Sequence, residues 1–164
     1  MHHGALAYLL GINALRASEA AAVRIEDYAE TLRGHRFLHL VGKGNKPATM
    51  PLTVPVLRVL ETCRGDRTIG PLVLRPISGR PVGCRNVYRM VIRIAMTAGI
   101  PRHVSPHSLR HAAITNALDA GVALRDAQIL ARHADPRTTQ HYDRARGNLD
   151  RHGVHFLTAY VAGV

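Results

Sequence analysis

The 164 residues predict a mainly α-helical fold with one small antiparallel β-hairpin or sheet, an α+β arrangement in a single domain. Three observations predict it. Apolar residues recur at helical spacing in most segments long enough to show a period. Only one pair of neighbouring stretches is extended and joined by a short, glycine-containing turn. A composition of 46% hydrophobic and 20% charged residues suffices for a packed core. No apolar run approaches the roughly 18 residues of a membrane helix.

Taken in order, residues 5–24 read as helical, with Leu6, Leu9, Leu10, Ile12 and Leu15 followed by an alanine-rich run to Val23. Gly11 and Asn13 weaken the middle and predict two helices with a break. Residues 36–41, RFLHLV, are strand-like; the turn GKGNK and a second extended stretch, ATMPL, complete a hairpin whose tip carries Lys43 and Lys46. Pro47 and Pro51 make the second strand an edge or an irregular one. A short helix is expected over 54–62, then a polar, Gly- and Pro-punctuated stretch to about residue 83. Residues 84–98 are periodic and helical. Ser105 and Pro106 form an N-cap and first-turn signature for a helix that runs to about Ala120 and stops at Gly121. Helical segments are expected over 124–132 and from Asp135-Pro136 through Tyr142, with an amphipathic tail over 149–162.

Charge points to a partner. A net charge of +11 and a pI near 11.0 imply a polyanion, for which nucleic acid is the common case, against the plainer alternative of a basic surface with no specific partner. With 4% aromatic residues and no Trp, stacking on splayed single strands is disfavoured, and contact with a duplex backbone fits better. Cys63 and Cys84 give neither a disulfide framework nor zinc spacing, so a reducing cytoplasm is expected. The N-terminal stretch lacks the basic start of a signal peptide, and no membrane partner is expected. Of the 22 basic residues only Lys43 and Lys46 are lysine, and both sit in GKGNK. An ammonium can give up a proton; a guanidinium effectively cannot.

The candidate chemistry lies in three places. His107 and Arg110 share a helix face, one able to move protons and the other to clamp two phosphate oxygens, though a solvated basic face has the same pattern. His107 and His111 stand at a zinc-compatible spacing, but Ser108 occupies the place where HExxH requires glutamate, so no metal site is expected. Arg16 and Glu19, three apart, are either a surface ion pair or an arginine held for use. The string ARHADPRTTQHY carries His133 and Tyr142. A phenol with a reference pKa of about 10 attacks at neutral pH only beside a base or concentrated positive charge.

In chain order these residues run Arg16, Lys43, His107, Arg110, His133, Tyr142, and with their strings they resemble the catalytic domain of the tyrosine recombinase, or phage integrase, family. The family's first arginine sits in G-L-R-x-S-E, here NALRASE; its lysine in GKGNK, identical here. Its His-x-x-Arg opens a helix as P-H-x-L-R-H, here PHSLRH, and its last segment runs L-G-H, T-T, then tyrosine. The resemblance covers about residues 5 to 145.

That resemblance implies site-specific DNA recombination without metal or other cofactor. The Tyr142 hydroxyl would attack a phosphodiester, expel a 5′-hydroxyl and leave a 3′-phosphotyrosyl link, which a second 5′-hydroxyl reverses. Arg16 and Arg110 would flank the nonbridging oxygens, His107 assist proton transfer, His133 hydrogen-bond a phosphate oxygen, and Lys43 protonate the leaving oxygen. Glu19 would support Arg16, and Lys43, Lys46 and Arg110 would contact DNA. The implied partners are double-stranded DNA and further recombinase protomers, four in a complete reaction, with the state of the domain alone left open.

Three departures accompany the resemblance. Arg132 replaces the glycine usual before the last histidine, and KPATMPL lacks the basic residue common before V-P-L. The chain also reads as an N-terminally short catalytic domain without the family's N-terminal core-binding domain. Two other functions stay open at this point: a DNA-binding remnant or accessory protein without full recombinase activity, and a type IB topoisomerase-like activity that reseals the same strand.

Overall fold

The computed structural model describes residues 2–42, 45–133, 135–140 and 153–162. The backbone divides into two compact units, residues 1–113 and 114–164.

The first unit begins with helix α1 (His2–Gly11) and α2 (Ala17–Ala22), separated at the expected break. Ala5, Leu6, Leu9 and Leu10 are fully buried on one face of α1, which packs on α3 (Val54–Arg64) and α4 (Cys84–Thr97). The spacing of these four residues is that of a single helical stripe. Val56 and Leu60 from α3, and Val87 and Val91 from α4, complete this side of the core. Between α1 and α2 the chain makes a turn in which Ala14 adopts a left-handed φ of 51°. Asn13, buried there, donates from Nδ2 to the Met50 sulfur at 3.1 Å.

After α2 a 3₁₀ turn (Ile25–Tyr28) leads to a sheet of three antiparallel strands in the order β1 (Thr31–Leu32), β2 (His35–Val41), β3 (Pro47–Leu52). The sequence reading anticipated β2 and β3. It did not anticipate β1, which is only two residues long and joined to β2 through Arg33 (φ 50°) and Gly34 (φ 80°). Two successive positive φ values are what a tight hairpin needs, but arginine at the first of them is a poor sequence signal for one.

The two prolines of β3 are placed so that the ladder loses nothing. Gly42 donates to the Lys46 carbonyl at 2.8 Å, so the pairs that exchange hydrogen bonds alternate from there and include Leu40 with Ala48 and Leu38 with Met50. Val41↔Pro47 and Phe37↔Pro51 fall on the alternate, non-bonded positions, and the ring nitrogens face the outer edge of β3.

Among the described residues, Tyr28, 1% exposed, is the largest fully buried side chain. Burial, reinforced by the nearby Glu61 carboxylate, pushes its phenol up to about 12. One side chain ties the start of the irregular stretch after α3. Arg67 donates to the carbonyls of Pro71 (2.6 Å), Leu72 (2.8 Å) and Cys63 (3.1 Å), closing the segment onto the end of α3.

Helix α5 (Pro106–Asp119) opens as the Ser105-Pro106 signature predicts. Ser105 Oγ accepts the Ser108 backbone N–H at 3.1 Å, and Pro106 stands where no intrahelical donor is needed. The second unit contains the C-terminal half of α5, α6 (Leu124–Ala131), α7 (Pro136–Gln140) and α8 (Gly153–Ala162). Among its described residues the buried apolar ones are Ile114, Leu118, Ala127 and Ala131, and α6 packs on α7. On α8, Leu157, Tyr160 and Val161 are exposed. Among the described residues no helix is long and apolar enough to cross a membrane.

Candidate active site

Arg16 is the N-cap of α2, with extended backbone at φ −74° and ψ 157°. Glu19, one turn on, accepts the Arg16 backbone N–H through Oε2 and its guanidinium Nη1 through Oε1, both at 2.7 Å. The carboxylate is almost wholly buried, at 3% side-chain exposure, while the arginine keeps 31%. The ion pair is therefore not a loose surface contact. Glu19 caps the helix with one oxygen and holds the partly exposed guanidinium with the other.

Arg110 lies one turn along α5 from His107 and is 6% exposed. Its Nη1 donates to the carbonyl of Ala14. The left-handed turn at Ala14 thus serves a purpose beyond separating two helices: it presents a carbonyl to Arg110 two residues before Arg16. Both arginines of the sequence reading are thereby tied to the same five-residue break.

His107 occupies the first turn of α5 and is exposed. Helix starts carry unsatisfied N–H groups and partial positive charge, which favour an anion there. Ala17, Arg85, Tyr88, Ser105 and His107 line an open groove of about 510 Å³. Tyr88, one of its lining residues, has its Oη 2.8 Å from His103 Nε2. The groove therefore gathers the start of α2, beside Arg16, with the start of α5. Lys46 is exposed on the hairpin. Lys43, at the tip, lies outside the described residues.

In the second unit, His133 follows α6. Its Nδ1 lies 2.9 Å from the hydroxyl of Thr139, which is fully buried, and Gln128 Nε2 donates to its carbonyl at 3.3 Å. The preceding Arg132 is left-handed, at φ 51° and ψ 44°. The departure noted in the sequence thus leaves the turn intact, with arginine bearing a conformation that glycine adopts more easily. Tyr142 lies outside the described residues, so the position of the expected nucleophile is not part of this geometry.

Three residues were missed by the sequence reading. The Ala14 carbonyl is a backbone feature with no residue-type signal. Thr139 and Gln128 position His133, and only Thr139 had a signal, the T-T of the last segment. Among the described residues no group of three or more His, Cys, Asp or Glu is placed to hold a metal ion. What the site does offer is guanidinium groups, imidazole and a helix start, all suited to binding and polarising a phosphate.

Known proteins resemble this chain in sequence and in fold. Residues 1–148 match the Phage integrase family. A tyrosine recombinase of Synechococcus elongatus is 35% identical over 152 residues, covering 87% of this chain and 47% of that protein. The tyrosine recombinase XerC of Corynebacterium glutamicum is 32% identical over 146 residues, covering 87% and 46%. The chain thus spans about half the length of the curated relatives it matches. Among solved structures, the integrase from mycobacterium phage Brujita superposes with a TM-score of 0.68 at 28% identity, over 87% of this chain and 49% of that one. The XerH site-specific recombinase bound to difH substrate, in a pre-cleavage complex, gives 0.72 at 22% identity, over 90% and 43%, a likeness of fold.

Proposed function

The chain belongs to the phage integrase family, and from that premise we propose that it is the catalytic domain of a tyrosine site-specific recombinase that cleaves and rejoins double-stranded DNA. The observation that carries this reading is the anchoring of two arginines at one helix break, Arg16 through Glu19 and Arg110 through Ala14. A surface with merely scattered basic residues has no reason to hold two of them this way.

In the proposed reaction the Tyr142 oxygen forms a bond to phosphorus as the bond from phosphorus to the 5′-oxygen breaks. His107 takes part in moving the phenolic proton, and Lys43 supplies a proton to the departing oxygen. Arg16 and Arg110 neutralise the charge that builds on the nonbridging oxygens, and His133, steadied by Thr139, donates to one of them. Attack by another 5′-hydroxyl reverses each bond change. The phosphotyrosyl link conserves the bond energy, so the cycle needs no nucleotide. The reaction belongs in the cytoplasm, on nucleoid DNA. Full strand exchange requires further protomers, for which the exposed Leu157, Tyr160 and Val161 of α8 offer a contact surface.

The test is covalent capture. A pool of nicked, random-sequence suicide duplexes incubated with the protein should yield a denaturation-resistant protein–DNA adduct that Tyr142→Phe abolishes. Binding without adduct would make the chain a DNA-binding accessory protein. Relaxation of supercoiled plasmid without a preferred site would indicate the topoisomerase.

A further inference from the structure

Residues 67–118 contain no aspartate or glutamate, yet hold eight arginines and three histidines. Helix α4 lies within this stretch and places Arg85, Arg89 and Arg93 at successive intervals of four, one stripe along one side of the helix. Arg85 reaches the groove that contains His107. Arg89 and Arg93 instead line a second cavity of about 370 Å³, together with His3, Arg75 and Met90. Arg89 and Arg93 are both exposed. Burial, followed by the charge of Arg93, lowers the basicity of His3, so this end of the cavity already feels an excess of positive charge.

We propose that the cavity lined by Arg75, Arg89 and Arg93 is an auxiliary phosphate-binding site that grips duplex DNA away from the cleavage groove. This deepens the recombinase reading and rests on it. Like charges stacked at intervals of four destabilise a helix, and no carboxylate in the surrounding 52 residues offsets them. A run of phosphates relieves that repulsion. An acidic peptide is the lesser fit, because the stripe continues without a break into the groove where the DNA backbone is already required. The site would add affinity without reading bases, since it meets only the sugar-phosphate backbone.

The experiment measures binding to a long duplex of arbitrary sequence as a function of salt. Arg89→Gln/Arg93→Gln is compared with Arg33→Gln/Arg58→Gln, which removes the same charge from exposed positions elsewhere. The first variant should flatten the plot of log affinity against log salt by about 1.8, roughly 0.9 for each phosphate that is no longer neutralised. The second should leave the slope unchanged. An unchanged slope in the first variant, or an equal flattening in both, overturns the proposal. The two readings fail separately: a wild-type protein that forms no adduct sinks the recombinase, whereas adduct formation with an unchanged slope in Arg89→Gln/Arg93→Gln sinks only the auxiliary site.

Discussion

The guanidinium of Arg110 donates to the carbonyl of Ala14, 96 positions earlier in the chain. A charged donor on a buried carbonyl is among the stronger hydrogen bonds, contributing about 1.5–3 kcal/mol. Arg110→Ala should therefore lower the melting temperature as well as the cleavage rate. The rate should fall by roughly 10²–10³, the scale of losing one preorganised donor to a developing charge. Arg110→Lys should recover part of the stability and little of the rate, because an ammonium cannot bridge carbonyl and phosphate as a fork does. Thermal melts and single-turnover adduct formation separate the two effects.

Ala14 and Arg132 both carry left-handed backbone, and both stand where the family strings have glycine. That conformation costs a residue with a Cβ about 1–2 kcal/mol. Ala14→Gly should stabilise the protein by up to about 1 kcal/mol once the greater freedom of glycine in the unfolded chain is counted. Arg132→Gly should gain less, since the Arg132 guanidinium also donates to the Leu130 carbonyl at 3.1 Å. Urea titrations with unchanged slopes would measure both; a loss of stability in Ala14→Gly would contradict this account of the turn.

Glu19 does two jobs that substitution can divide. Glu19→Gln keeps an oxygen for the Arg16 backbone N–H but removes the charge that fixes the guanidinium, so stability should fall little and adduct formation more. Glu19→Ala removes both and should cost about 1 kcal/mol further, the usual worth of a helix cap. Equal stability for the two variants would show that the cap contributes nothing.

Thr139→Val removes the hydroxyl beside His133 while keeping the side-chain shape. Stability should drop by about 1 kcal/mol. Cleavage should drop by roughly tenfold to 10²-fold, as for a catalytic group held loosely. Thr139→Ser should restore most of the rate, an outcome that a purely packing role for Thr139 would not produce.

Tyr28 governs behaviour in alkali. Its phenol ionises near 12 in the folded chain and near 10 when unfolded, so its contribution is fully present below pH 10. As pH rises from about 10 to about 12 the unfolded state loses the proton first, and up to about 3 kcal/mol of stability disappears. Tyr28→Phe should lack this component. At neutral pH it should be as stable as the parent or slightly more so, because among the described residues the Tyr28 hydroxyl is buried without a hydrogen-bond partner. Melting temperatures of both proteins from pH 8 to 12 test the difference.

The sequence made the helices legible because their apolar stripes and end signals agreed, as at Ser105-Pro106 and Gly121. It concealed β1, whose two residues are too few to show a period. Arg16 and Arg110 could be singled out through the family strings around them, but not their common anchorage: Ala14 contributes only a carbonyl, and no pattern of side chains reveals where a backbone oxygen points. Thr139 was visible as part of a string, without any sign that it would be fully buried against His133.

The hairpin arm has a further property that follows from Pro47 and Pro51. An exposed strand is a template on which another chain can extend the sheet, and molecules crowded together are most at risk of sticking along such rims. A newcomer approaching β3 meets two ring nitrogens where it needs amide donors, while the native pairing with β2 is undiminished. The hairpin is thereby guarded against runaway edge-to-edge aggregation.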